Sequence, residues 1–294
     1  MLYYNYIPQH TNLKEMKTLG WIGLGNMGTP MATNLLKAEY PVNFYRRDIA
    51  KVYPLSALGA VAIDNLQDFI HQTDIIFFTL PDDNVVEQMF ENIVQTDVTG
   101  KIFVNSSTIS PTLAEKLSVL IKTKGAHYID APVSGSVKPA IDGTLLFLVG
   151  GDKVIYEAII PYLEVMGKSH YYLGDSGSGS KAKLAINYYM AVVVQGLAET
   201  VLFAEENGVN REMMTAIIND SACGSGMSKI KTPSILNEEY PAAFPLKFML
   251  KDIRLAQDAG WNTSLVKSTE EAYAKASEDG LAENDLMAVI KAIK

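Results

Sequence analysis

An apolar run that enters Gly23-x-Gly25-x-x-Gly28 and leaves as a helix-period pattern, Leu19 to Leu36, constrains what this chain can fold into. It reads as strand, tight turn, helix. Gly23 permits the turn, Gly25 lets a pyrophosphate approach the backbone, and Gly28 lets helix and strand pack closely, while the helix N-terminus offers free N–H groups to an anion. Glycine-rich turns are common, so the flanks decide: a second strand, Val42 to Tyr45, follows at the spacing of a βαβ unit. The turn residues Gly23, Leu24, Gly25, Asn26, Met27 and Gly28 are therefore the expected nucleotide contacts.

The first half repeats this alternation. Asp74 to Leu80 is a continuous apolar run stopped by Pro81-Asp82-Asp83, as expected of a parallel strand buried on both faces. Lys101 to Asn105 ends in Ser106-Ser107-Thr108, with Pro111 opening a helix over Thr112 to Lys122. Ala126 to Ile129 and Leu145 to Val149 read as strands, and Val154 to Met166 as a helix. Such alternation predicts a Rossmann-type α/β fold with a doubly wound parallel sheet, whose ligands gather outside the carboxyl ends of the strands. Three polar loops fall there: Pro81 to Asn84, Ser106 to Thr108 and Ser134 to Ser136.

The pattern changes at Gly174 to Ser180, after which no strand is predicted. Lys181 to Glu206 is apolar nearly all round and reads as a helix buried on most faces; Asn207-Gly208 ends it and Asn210 caps the next. Loops are expected over Ser221 to Ser228 and Thr232 to Pro245, where Pro233, Pro241 and Pro245 break the periodicity. Helices are expected over Phe248 to Ala259, Ser264 to Glu278 and Asn284 to Lys294. The organisation predicted is an N-terminal extension (1–17), disordered or preceding a natural start at Met16-Lys17, then a dinucleotide-binding Rossmann domain (18–178) and an all-helical domain (179–294) for substrate and subunit contacts.

Composition narrows the partners. With 294 residues, 48% of them hydrophobic, the chain can fill a substantial core, and a net charge of -8 argues against nucleic acid. The single cysteine, Cys223, excludes internal disulfides and cysteine-rich zinc sites. No targeting signal is read in Met1 to Glu15, which together with the cysteine count points to the cytoplasm. Leu184 to Ala204 is the most membrane-like run, but Asn187, Gln195, Glu199 and Thr200 interrupt it, so a buried helix is expected and no membrane span. His10, His71, His127 and His170 form no metal-binding motif, and no metal is expected.

Between a nucleotide domain and a helical domain lies a cleft, and Lys183 and Asn187, four apart on one face of the connecting helix, would line it. Reduction of a carbonyl needs a proton delivered to its oxygen, which a lysine with a lowered pKa can supply. On position alone Lys183 reads first as a solvated lysine of a first helical turn. Four ordered motifs change that reading: Gly23-Leu-Gly-Asn-Met-Gly-Thr-Pro-Met-Ala, Asp130-Ala-Pro-Val-Ser-Gly, Gly177-x-Gly179-x-x-x-Lys183-x-x-x-Asn187 and Lys251-Asp252. From Thr18 to the C-terminus the chain resembles the β-hydroxyacid dehydrogenase family. Pro132 to Ala140 and Tyr240 to Lys247 are similar to its glyoxylate/succinic semialdehyde reductase branch. Ile186 stands where the family usually has a first asparagine.

The resemblance implies roles position by position. Lys183 would donate the proton and Asn187 would hold the lysine or the oxygen; Ser134 and Gly135, with Ser136 beside them, would bind the substrate carboxylate. Thr108 would sit between nicotinamide and substrate, Leu80 and Pro81 near the ring, Lys251 on the cofactor, and Phe244 and Asp252 in the substrate pocket. Each has a plainer rival: turn caps for Ser134 and Thr108, core for Phe244, an ion pair with Lys251 for Asp252. Arg46 and Arg47 at the end of the second strand suit the 2′-phosphate of NADP, whereas Asp48 suits the ribose of NAD, and the balance favours NADPH. The activity implied is NADPH-dependent reduction of small aldehydes carrying a carboxylate, by a homodimer or homotetramer. Rivals are an NAD-dependent 3-hydroxyisobutyrate-type dehydrogenase, a catalytically silent dinucleotide-binding domain and, third, an imine reductase, which usually lacks the lysine. A short-chain dehydrogenase is disfavoured because no Tyr-x-x-x-Lys occurs.

Overall fold

The computed structural model describes residues 17–45 and 53–293, so the N-terminal extension through residue 16, and Arg46, Arg47 and Asp48, lie outside the described residues. The first half runs β1 (Leu19–Ile22), α1 (Gly28–Lys37), β2 (Val42–Tyr45), α2 (Tyr53–Ser56), β3 (Val61–Ile63), α3 (Leu66–His71), β4 (Ile75–Phe78), α4 (Asp83–Ile93), β5 (Ile102–Asn105), α5 (Pro111–Thr123) and β6 (His127–Asp130). Then come β7 (Val133–Ser134), α6 (Val137–Ile141), β8 (Leu145–Gly151), α7 (Lys153–Met166) and β9 (Gly167–Tyr172). The second half is helical: α8 (Ser178–Glu206), α9 (Arg211–Asp220), α10 (Gly226–Asn237), α11 (Leu246–Asp258) and α12 (Ser264–Ala276), closed by a 3-10 turn over Leu286–Ala292.

Six strands pair in parallel in the order β3-β2-β1-β4-β5-β6, which reverses direction between β1 and β4 and opens a crevice at their carboxyl ends. Alternate residues of β1 and β4 face opposite ways. Trp21 and Phe77, stacked at 5.4 Å, join one core with α1 and α7, while Ile22, Ile76 and Phe78 join another with α4 and α5. Burial on both faces is the reason for their unbroken apolar runs. A third core belongs to the helical half.

The expected Rossmann-type α/β fold is present, its sheet parallel except that β8 lies antiparallel to β6 and β7, because the short connection through α6 cannot make a parallel crossover. Three expectations need correction. The expected loop over Thr232 to Pro245 is partly helix, since α10 runs through Pro233; a reciprocal Ser225–Ser228 capping box and the burial of Lys231 and Ile235 hold it. The segment Asn284 to Lys294 is a 3-10 helix over Leu286–Ala292 instead of an α-helix. Helix α8 is long and apolar enough to cross a membrane, yet only 39% of its most apolar window is buried, with Tyr189 62% and Phe203 68% exposed. It is buried along one side, where α11 and β8 pack, and bare along the other.

Candidate active site

The glycine turn is braced from behind. Gly23 adopts φ +103°, and its carbonyl accepts hydrogen bonds from the Thr79 hydroxyl (2.6 Å) and Trp21 Nε1 (3.2 Å). A Cβ on Gly28 would stand 2.0 Å from that same carbonyl, so helix α1 can begin there only with glycine. At Gly25 a Cβ would meet nothing within 4 Å: the space in front of the turn is open, as a bound pyrophosphate requires.

Helix α8 lands on the ends of β6 and β8 through a second close approach. A Cβ on Gly179 would lie 2.3 Å from the Leu148 carbonyl, which explains the glycine four residues before Lys183. The buried Asp130 carboxylate then fills the helix start, accepting from Gly177 N and Ser180 N at 2.8 Å each. Burial pushes Asp130 up to about 6, although these two N–H donors pull the other way. Its proton is held more tightly folded than unfolded, so the stability tied to that proton is full below about pH 4 and lost as pH rises through 6. Asp130→Ala strands two buried donors and is expected to cost about 2–4 kcal/mol, read by denaturant unfolding at pH 7.

One turn and a half further on, Lys183 is buried inside the cleft. Its Nζ donates to Asn187 Oδ1 at 2.9 Å, and Asn187 Nδ2 donates to Asp252 Oδ2 at 2.6 Å. The other oxygen of Asp252 is 3.1 Å from Lys251 Nζ in an ion pair but accepts no hydrogen bond. Lys251 Nζ in turn donates to the carbonyls of Thr108 (2.6 Å) and Pro81 (3.3 Å), which ties α11 to two of the loops at the sheet edge. Burial pushes the Lys183 ammonium down to about 8; Asp252 opposes that shift and Lys251 adds to it.

Lys183 stands on the wall shared by two adjoining cavities. The first, about 430 Å³, runs from the turn residues Gly25, Asn26, Met27 and Gly28 past Leu80, Pro81 and Thr108 to Lys251 and Asp252. The second, about 450 Å³, has Ser134 and Asn187 on its wall. Gly135, Ser136 and Phe244 border both. Gly23 and Leu24 are behind the turn and on neither wall; Leu24 packs against the core of the sheet. Ser136 caps α6 without spending its side chain on the helix.

Sequence reasoning passed over several residues that build this site. Thr79, just past the end of the neighbouring β4, and Trp21, two residues before the turn on β1, brace it with side chains that carry no local signal. Asp130 stood inside a quoted motif, but its partners are 47 and 50 residues away. Lys231 and Asp285 form a buried pair at 2.7 Å, and Asp285 also accepts from Ala243 N and Phe244 N, both at 3.2 Å, fixing the loop that presents Phe244.

The chain is similar to known proteins along most of its length. Residues 18–174 match the family described as the NAD binding domain of 6-phosphogluconate dehydrogenase, and residues 177–293 that described as NAD-binding of NADP-dependent 3-hydroxyisobutyrate dehydrogenase. The chain is 36% identical to glyoxylate/succinic semialdehyde reductase 2, chloroplastic, of Arabidopsis thaliana, over 94% of this chain and 79% of that one. It is 32% identical to an NAD-dependent L-serine dehydrogenase of Pseudomonas aeruginosa, over 94% and 97%. Among solved structures, a Mycobacterium tuberculosis 3-hydroxyisobutyrate dehydrogenase with L-serine superposes with a TM-score of 0.87 at 30% identity, covering 95% of this chain and 99% of that one.

Proposed function

The chain belongs to the β-hydroxyacid dehydrogenase family of nicotinamide-dependent oxidoreductases, and on that premise we propose that it is an NADPH-preferring reductase of small aldehydes bearing a carboxylate, of the glyoxylate or succinic semialdehyde type. The observation that carries this reading is a buried lysine, held by Asn187, on the wall between the two cavities. The dinucleotide, when bound, supplies a hydride to the carbonyl carbon. Gly25 to Gly28 would hold its phosphates, and Leu80, Pro81 and Thr108 would border the nicotinamide end.

The protein's own task is the oxygen. Lys183 donates its proton to the oxygen that becomes negative, and the Asn187 carbonyl fixes the ammonium while it does so. Asp252 orients that amide by taking its N–H. Ser134, Ser136 and the Gly135 N–H would receive a carboxylate that adjoins the aldehyde, as in glyoxylate, and hold the aldehyde against Lys183. Burial of the ammonium strengthens its hydrogen bond and lowers its pKa toward the working range.

NADPH preference rests on Arg46 and Arg47 at the end of the second strand. The second reading, an NAD-dependent dehydrogenase of 3-hydroxyisobutyrate-type acids, draws support from the L-serine dehydrogenase relative. Initial rates with both cofactors on glyoxylate, succinic semialdehyde, 3-hydroxyisobutyrate and L-serine separate the two. At least tenfold higher kcat/KM for NADPH with an aldehyde is expected, and preference for NAD with a hydroxyacid overturns it. A silent binding domain would have no use for Lys183, Asn187 and Ser134 together, and turnover on any of these substrates removes that reading. The bare apolar side of α8 supports a homodimer or homotetramer, which light scattering on the eluting protein tests.

A further inference from the structure

The second cavity has a chemistry of its own. Among the described residues its wall carries two charged groups, Lys183 and Lys231, both cationic, and no carboxylate. Between them the lining is mostly apolar, including Met190, Val193, Met227 and Leu286. Lys231 is 5% exposed, and Asp285 Oδ1 takes one of its three donor hydrogens at 2.7 Å. Asp285 itself is saturated from behind by the N–H groups of Ala243, Phe244 and Met287, and it is not on the cavity wall. Two of the ammonium's hydrogens therefore remain for a ligand, in a chamber whose described wall bears no carboxylate.

We infer that Lys231 is a specificity-determining residue that receives the distal carboxylate of a substrate whose aldehyde and carboxylate are separated by a methylene spacer. This rests on the aldehyde-reductase reading above and deepens it. The spacer lies along the apolar wall, where a hydroxylated chain would leave its hydroxyls unpaired, and the carboxylate reaches an ammonium that Asp285 holds in place. In glyoxylate the carboxylate adjoins the aldehyde, so it stays with Ser134 and Gly135 beside Lys183 and draws less from Lys231.

The test compares the wild-type protein with Lys231→Met and Lys231→Arg, using NADPH with succinic semialdehyde and with glyoxylate. Lys231→Met is expected to lower the ratio of kcat/KM for succinic semialdehyde to that for glyoxylate by about 10- to 100-fold, chiefly through KM, as loss of one charged hydrogen bond does. Lys231→Arg is expected to recover most of that ratio. Because both aldehydes meet the same folded protein, general loosening of the Phe244 loop lowers both values and leaves the ratio unmoved, which overturns the inference. Calorimetric titration of succinate, which cannot react, reads the chamber without turnover. Tenfold weaker binding in Lys231→Met supports the assignment and equal binding overturns it, whereas a wild-type protein that binds succinate but reduces neither aldehyde counts against the reductase reading alone.

Discussion

Lys183→Met is expected to lower kcat for aldehyde reduction by about 10²- to 10⁴-fold, the range that removal of a positioned general acid produces, while cofactor affinity stays within about threefold. The glycine turn that would bind the cofactor lies on a different element and does not use the lysine. A pH profile gives the same residue a second signature. With the ammonium pushed down to about 8, the protonated donor is present below that pH, so kcat/KM for reduction falls by about tenfold per unit above it. Oxidation of the hydroxyacid needs the neutral amine as base and rises over the same interval. Both limbs disappear in the methionine variant.

The substitution also separates chemistry from folding. In the unfolded chain the lysine holds its proton up to about 10.5, whereas in the folded protein it does so only to about 8. Below pH 8 the native state therefore carries the full cost of a buried charge, about 3 kcal/mol, and that cost fades as pH rises from 8 to 10.5. The stability of Lys183→Met relative to wild type, which includes the cost of leaving the buried Asn187 Oδ1 without its donor, is expected to fall between pH 7 and pH 10. Retained turnover contradicts the role assigned to the lysine.

Gly179→Ala is the second large effect. The added Cβ would sit 2.3 Å from the Leu148 carbonyl and 2.8 Å from that of Asp130, both backbone atoms of the sheet that cannot swing aside. The start of α8 must shift, and with it Lys183 four residues on. A displacement of about 1 Å at a reacting group costs about 10²-fold in kcat, and overpacking of this kind about 1–3 kcal/mol in stability. Steady-state kinetics should show the loss in kcat, and fluorescence titration with NADPH should show the binding little changed. An alanine variant with normal kcat would mean that the helix is not seated as the structure has it.

Much of this protein is legible along the chain. The turn at Gly23 to Gly28, the buried strands β4 and β5, the change to helices after Gly174 and the pair Lys183 and Asn187 are all written in local spacing. Backbone conformation, strand burial and a four-residue helical step each act over a few neighbours, so sequence alone determines them. Edge strands β3 and β7 escape because they are only three and two residues long, and β9 because Lys168, Ser169 and His170 leave it no apolar run.

What sequence could not supply is which distant groups meet. The carboxylate of Asp130 under the first turn of α8, the Asn187 to Asp252 bond across 65 residues and the Lys231 to Asp285 pair across 54 are contacts of side chains whose neighbours reveal nothing of the partner. Only the packed cleft decided them: enclosure there makes an unpaired ion or amide too costly to leave, and removal from water is also what pushes the Lys183 ammonium down to about 8.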